Sequence, residues 1–312
     1  MELKKTKIGV LMGGWSPERE ISLKTGQNIT DTLKEAGYNV VGIDIGKSLK
    51  GGKYIPEKLL KHKIKIAFIA LHGPYGEDGI IQGMLELLGI SYTGSGVLAS
   101  ALAMDKILSK QIFKNNKILT PDFQVVKKDE NFKLALNLPV IVKPNSQGSA
   151  IGVSIVQKRD DLQKALKLAF KYGNSVIIEK YIEGLELSVP VLDDPLKWVP
   201  RALPVIEIIP KDEFYTYESK YLPGASKHII PAAISKLLYK KAQDIAVKVH
   251  TVLNCKGATR VDMIAGKNNN IYTLEINTIP GMTKTSLLPE SAKKVGINFT
   301  KLLELMLKDV LR

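Results

Sequence analysis

Apolar positions recur along this chain in two rhythms, one of period two and one of period 3.6, and their alternation predicts most of the architecture. Residues 8–12, Ile-Gly-Val-Leu-Met, form a continuous apolar run that ends at Gly13-Gly14. That is the pattern of a buried strand entering a tight turn. Ser16-Pro17 then offers a helix N-cap with proline at the first helical position, and the spacing predicts a helix reaching Ala36 and stopping at Gly37. Residues 40–45 and 64–71 are two further β-rich runs, and Ile81, Leu85 and Leu88 recur at helical spacing before Gly89. Strand alternating with helix predicts a parallel sheet covered by helices on its faces.

The pattern changes near residue 95. Val97, Leu98, Ala101, Leu102, Ile107 and Leu108 predict one helix over residues 95–113. Strands follow at 123–126, 140–142, 151–156 and 176–178, with a helix at 162–172 between the last two. This block reads as a small α+β domain. Beyond Gly184, strands at 186–191, 205–209, 260–264 and 271–276 predict a mixed, largely antiparallel sheet. Leu238, Ala242, Ile245, Val249 and Leu253 make the apolar face of its long helix. The expected organisation is therefore residues 1–95, 96–184 and 185–312. The stretch 211–230 is aromatic and charged without a clear period, and long irregular segments in compact domains are usually functional or mobile.

Composition narrows the function classes. With 45 Lys+Arg against 31 Asp+Glu the net charge is +14, yet the lysines are spread over the whole length. No helix-turn-helix, zinc-finger or RNA-binding aromatic motif accompanies them, so the charge suits anionic small substrates better than nucleic acid. The lone Cys255 excludes an intrachain disulfide and a multi-cysteine metal site. The apolar run at 8–12 is too short for a signal-peptide core. The uncharged stretch 87–104 carries three glycines and three serines and would insert poorly into a membrane. A cytoplasmic protein without nucleic-acid or membrane partners is expected.

Three constellations could carry chemistry. Glu275 and Asn277 stand two apart on a strand and share a face, and Asp262 lies on a strand that could pair with theirs. Oxygen-only donors of this kind suit magnesium, although an E-x-N pair alone also fits a solvated strand. Val142-Lys143-Pro144 followed by Asn145-Ser146-Gln147-Gly148-Ser149 delivers a lysine and then a small-residue loop whose backbone N–H groups can approach phosphate. It also fits a plain hairpin, and the Walker A order is absent. Residues 176–182 run into Gly184 and Glu186, a strand and linker that could read an adenine edge and ribose hydroxyls. Loops with glycine and charge follow two predicted parallel strands, at residues 13–20 and 72–79, where such folds bind ligands.

Taken together and in order, these residues resemble the ATP-grasp superfamily, and within it the D-alanine–D-alanine ligase family. The resemblance is carried by Gly13-Gly14-Trp15-Ser16-Pro17-Glu18-Arg19-Glu20, His72-Gly73-Pro74-Tyr75-Gly76-Glu77-Asp78-Gly79, Tyr92-Thr93-Gly94-Ser95-Gly96 and Met104-Asp105-Lys106. Tyr217-Glu218-Ser219-Lys220-Tyr221 and Glu275-Ile276-Asn277-Thr278-Ile279-Pro280-Gly281-Met282-Thr283 complete it. It implies an α/β and α+β chain. An ATP-grasp fold would combine a Rossmann-like N-terminal domain, a small central domain and a C-terminal mixed-sheet domain.

The family joins two D-alanine molecules for peptidoglycan synthesis through a D-alanyl phosphate. By this resemblance Asp262, Glu275 and Asn277 hold two magnesium (or manganese) ions, and Lys106 and Lys143 neutralise the ATP phosphates. Glu179, Lys180, Tyr181, Ile182 and Glu186 hold adenine and ribose. Glu18 takes the ammonium of the first D-alanine, with His72 near the same subsite. Arg260 and the Gly281 N–H face the oxyanion, and Ser286 and Leu287 bind the carboxylate of the second D-alanine. Lys220 and Tyr221 fall on a stretch that resembles the family's closing loop, with Tyr221 expected to hydrogen-bond Ser149 and Glu18 completing that link. Tyr221 favours the dipeptide over a D-lactate product. A homodimer is implied as well. Two departures from the family pattern, Tyr181 where tryptophan is common and Ala258 for a bulkier residue, remove no charge or ligand.

Overall fold

The computed structural model describes residues 2–46, 54–197, 199–210, 226–283 and 285–311. The first sheet contains β1 (Ile8–Met12), β2 (Val40–Asp44), β3 (Ile66–Ile69) and β4 (Ser91–Tyr92), ordered β2-β1-β3-β4 and parallel throughout. Helices α1 (Arg19–Glu35), α2 (Ile55–His62) and α3 (Ile80–Leu87) connect these strands. Every residue of β1 and β3 is buried, as expected for parallel strands covered on both faces.

The start of α1 departs from the sequence expectation. Ser16 does not cap the helix, which begins at Arg19 after Glu18. The Ser16 hydroxyl instead donates to the His72 carbonyl at 2.7 Å and accepts the Glu18 N–H at 3.1 Å, so it fastens one strand-end loop to the other. Gly13, at φ +86°, leaves room for a further tie. A Cβ there would lie 2.2 Å from Asp44 Oδ1 and 2.4 Å from the Arg19 guanidinium. Through that gap Arg19 forks onto Asp44 at 2.9 and 2.6 Å. Hydrogen bonding from Arg19 holds the Asp44 carboxyl below the usual carboxylate range.

The predicted helix over 95–113 is two helices, α4 (Val97–Met104) and α5 (Lys106–Asn115). Asp105 breaks it: its backbone is extended, and its carboxylate accepts the Leu108 N–H at 2.9 Å as the cap of α5. The second sheet is antiparallel, ordered β5-β8-β6-β7, from β5 (Phe123–Lys127), β6 (Val140–Pro144), β7 (Ser154–Val156) and β8 (Ser175–Lys180). Helix α6 (Leu162–Ala169) packs on it.

The third sheet holds β9 (Gly184–Asp194), β10 (Val199–Ala202), β11 (Ile206–Pro210), β12 (Ser226–Ile229), β13 (Ala258–Gly266) and β14 (Ile271–Asn277). Its order is β12-β11-β9-β13-β14, with β10 against β9, and its pairings are antiparallel. Helix α7 (Lys236–Val252) lies on it, and α8 (Leu287–Lys294) and α9 (Phe299–Asp309) follow. Helices α2, α8 and α9 and strands β4, β10 and β12 have no counterpart among the sequence expectations, and β12 falls within the stretch 211–230.

Two cores join distant segments. Ala99, Ala103 and Phe113 of α4 and α5 pack with Val189, Val261 and Ile276 of the third sheet. Leu302, Leu303 and Leu307 of α9 pack with Ile8 and Val10 of β1 and Phe68 of β3. Each leucine so buried stabilises the fold by roughly 1.5–3 kcal/mol. The N-terminal sheet is thus closed by the end of the described chain. Among the described residues no helix is long and apolar enough to cross a membrane.

Candidate active site

Two cavities meet between the three sheets. A narrow one of about 120 Å³ is lined by Glu18, His72, Ser149, Arg260, Asn277, Gly281, Ser286 and Leu287. A wide cleft of about 1000 Å³ is lined by Lys143, Glu179, Lys180, Tyr181, Ile182, Glu186 and Asp262. Lys106 and Glu275 line both, so the cavities share a wall at these two residues. Every described candidate from the sequence therefore borders one cavity or the other. Lys220 and Tyr221 lie outside the described residues.

Strand register arranges the wide cleft. Glu179 of β8 stands opposite Ile141 of β6, which puts Lys143, two residues on, on the same face. Lys143 Nζ lies 2.9 Å from Glu179 Oε1, and Lys110 Nζ of α5 lies 3.1 Å from the same oxygen. Burial alone would raise the Glu179 pKa, but the two ammonium groups outweigh it and the net direction is down. Burial pushes the Lys110 ammonium down to about 8 against the upward pull of Glu179.

The wall between the cavities is built on β13 and β14. Asp262 stands opposite Glu275, and Arg260 opposite Asn277, with a bulge after Asp262. Arg260 forks onto Asp262 at 2.9 and 2.7 Å, and the Ser188 hydroxyl donates to Asp262 Oδ1 at 2.6 Å. Lys106 Nζ is 3.3 Å from Glu275 Oε2 and donates to the Gln147 carbonyl at 2.6 Å. Among the described residues no three His, Cys, Asp or Glu side chains cluster as a metal site. The donor set is two carboxylates and one amide oxygen on adjacent strands. An incomplete, oxygen-only set at the mouth of a lysine-lined cleft fits a magnesium-like ion that draws its remaining ligands from phosphate and water.

The narrow cavity is acidic at one end. Glu18 is only 4% exposed and accepts a hydrogen bond from the Ser149 hydroxyl. Gly73, at φ +72°, sits against it: a Cβ there would come 2.8 Å from Glu18 Oε2. At the other end Ser286 and Leu287 stand at the N-terminus of α8, where backbone N–H groups and the helix dipole favour a carboxylate. The Ser286 hydroxyl accepts the Thr283 N–H at 3.0 Å and fixes that turn.

Glu77, His228 and Lys110 have no role among the sequence expectations. Glu77 lines the narrow cavity, and its Oε1 lies 3.4 Å from His72 Nδ1. Burial above all, with the nearby Glu18 charge, raises its pKa despite His72. It stands inside the quoted 72–79 motif, so a signal was present. His228 also lines the narrow cavity, with Nδ1 2.7 Å from Glu290 Oε2. Lys110 follows Lys106 by one helical turn, the only local hint that it turns toward the same site.

The similarities to known proteins run the length of the chain. Residues 112–308 match the family described as D-ala D-ala ligase C-terminus, and residues 48–95 the D-ala D-ala ligase N-terminus. A D-alanine–D-alanine ligase of Citrifermentans bemidjiense is 47% identical over 301 residues, covering 96% of this chain and 95% of that protein. One from Carboxydothermus hydrogenoformans is also 47% identical, covering 96% and 97%. The crystal structure of the Bacillus anthracis D-alanine–D-alanine ligase complexed with ATP superposes with a TM-score of 0.84 at 35% identity, covering 98% of each chain. A lysine-lined cleft sharing its wall with a small acidic cavity is what an ATP-grasp ligase needs, and by sequence and by structure the chain belongs to the D-alanine–D-alanine ligase family.

Proposed function

We propose that this enzyme ligates two D-alanine molecules into D-alanyl-D-alanine for peptidoglycan synthesis, at the expense of ATP. The observation that carries the reading is the shared wall: Lys106 and Glu275 border both the cleft sized for a nucleotide and the cavity sized for amino acids. A phosphoryl group can cross there without leaving protein contact.

A free carboxylate acylates poorly. ATP therefore transfers its terminal phosphoryl group to a carboxylate oxygen of the first D-alanine, releasing ADP. The amine of the second D-alanine attacks the acyl carbon of this D-alanyl phosphate, loses a proton, and expels inorganic phosphate. The residue roles are part of the proposal. Glu18, oriented by Ser149, receives the first ammonium, with His72 and Glu77 behind it. The α8 N-terminus at Ser286 and Leu287 receives the second carboxylate. Arg260 and the Gly281 N–H face the tetrahedral oxyanion, where a permanently charged planar fork suits developing charge. Lys106 and Lys143 balance the triphosphate, and positioning of this kind is most of what phosphoryl transfer requires. Lys180, Tyr181, Ile182 and Glu186 hold the nucleoside together with Glu179. Divalent cations bound by Asp262, Glu275 and Asn277 would supply charge neutralisation of the phosphates. Lys220 and Tyr221 are assigned to a closing loop on the resemblance alone. The units 1–95, 96–184 and 185–312, a homodimeric state and a cytoplasmic location belong to the same proposal.

The test is phosphate release from ATP with magnesium, comparing D-alanine, L-alanine, and D-alanine with D-lactate, the product being identified by mass. Release that requires D-alanine and yields the dipeptide is the expected result. Folded, ATP-binding protein that releases no phosphate with D-alanine refutes the reading.

A further inference from the structure

We propose that Lys110 is a positioning residue for nucleotide choice: it keeps Glu179 as a carboxylate that can only accept hydrogen bonds, so the cleft takes a purine with an amino group at position 6 and refuses one with a carbonyl. The inference rests on the reading of the wide cleft as the ATP site. It goes beyond that reading in assigning the selection to a side chain that need not touch the base.

Glu179 is 2% exposed and lines the cleft from an inner strand of its sheet. A carboxyl in such a place is neutral unless a counter-charge is supplied. Two lysines supply it, and they differ in their other obligations. Lys143 lines the cleft itself, where it faces the position proposed for phosphate. Lys110 does not line it and has no exposed surface. Among the described residues its only ion pair is with Glu179, at 3.1 Å. Its other hydrogen bond, at 2.5 Å, goes to the neutral Thr120 hydroxyl, which in turn donates to the Thr273 carbonyl at 2.8 Å. The ammonium is thereby anchored between α5 and β14. When a triphosphate draws on Lys143, Lys110 remains as the fixed counter-charge of Glu179.

The chemical consequence follows from donor and acceptor rules. An ionised carboxylate has no proton to give, whereas a protonated one donates as well as accepts. Adenine presents an amino donor at position 6, and hypoxanthine and guanine present a carbonyl acceptor. With Glu179 facing position 6 of the base, as the proposal has it, a fixed acceptor opposite a carbonyl leaves two lone pairs facing each other, an arrangement that rejects the wrong base. Removing Lys110 removes that rejection.

The experiment compares kcat and KM for ATP and ITP in the wild-type protein, K110M, K110R and E179Q, with folding checked by circular dichroism. K110M is expected to lower the ATP-to-ITP ratio of kcat/KM at least tenfold, chiefly through KM, while K110R keeps the ratio near wild type. E179Q, whose amide can both donate and accept, is expected to relax the ratio with Lys110 intact. A merely structural lysine would lose ATP and ITP in parallel. Parallel losses in K110M, or an unchanged ratio in folded E179Q, overturn the inference, and the second result does so even if K110M does not fold. Displacement of a fluorescent ATP analogue by ATP and by ITP reads the same preference without D-alanine. Failure of dipeptide synthesis by the wild-type protein is thus distinguishable from failure of the role given to Lys110.

Discussion

Removing the Ser149 hydroxyl tests how the first amino-acid subsite is held. Ser149 sits in the left-handed region at φ +52° and is 8% exposed, and its hydroxyl bonds the buried Glu18 carboxylate across two loops. In Ser149→Ala the Cβ is retained, so the backbone cost of a positive φ is the same before and after. What is lost is one hydrogen bond to a buried charge. Such bonds contribute about 1.5–3 kcal/mol, and at about 1.4 kcal/mol per tenfold the expected fall in kcat/KM for D-alanine is about 10- to 150-fold. Ser149→Gly separates the two effects, since glycine accepts this φ freely: it should be as inactive as the alanine variant although its loop is less strained. The assay is ADP release driven by D-alanine, with thermal unfolding followed in parallel. A midpoint shift within about 5 °C would keep the loss assigned to the site. Full activity in Ser149→Ala, or recovery in Ser149→Gly alone, would refute the argument that the bond, not the backbone, sets Glu18.

Glu275→Ala should reduce ATP turnover by more than about a hundredfold while leaving the circular dichroism spectrum intact, because one change removes both a phosphate-side carboxylate and the partner of Lys106. Retained turnover would remove Glu275 from the shared wall's chemistry. Leu303→Ala, at a fully buried position of α9, should cost about 2–5 kcal/mol in urea unfolding. A cost below 1 kcal/mol would mean that α9 does not close the N-terminal sheet. Cys255 is buried and its thiol is pushed up to about 12, chiefly by burial, so the native protein should resist a thiol reagent at neutral pH and react only on denaturation. Rapid labelling of the folded protein would contradict that burial.

Much of the site is legible in the sequence because its chemistry is written at strand spacing. Glu275 and Asn277 share a face by the period of two, and Lys143 precedes a loop whose small residues announce a close approach. Register across strands is not written there. Nothing local says that Asp262 stands opposite Glu275, or that Arg260 forks back onto Asp262. Lys110 is hidden for the same reason: its ion-pair partner, Glu179 on β8, is distant in sequence. In the fold, the run at 8–12 reads plainly because parallel strands need no alternation. Asp105 divides a continuous apolar face by offering its carboxylate as a cap, which a count of apolar positions does not register. Helix α9 carries apolar residues at regular helical spacing, and a strand-centred reading of the C-terminal segment passes over it. Short elements such as β4 and β10 have too few positions to set a period.

The packing of α9 on β1 and β3 also bears on how the protein is made. Chains emerge from the ribosome N-terminus first, so β1 and β3 are free to pair long before residues 299–309 exist. Through that interval one face of the parallel sheet, with Ile8, Val10 and Phe68, lacks its final cover. A nascent chain stalled before α9 therefore displays an apolar surface that the finished enzyme never shows. That surface is a ready handle for a holding chaperone, and on a prematurely terminated product it marks the chain for proteolysis.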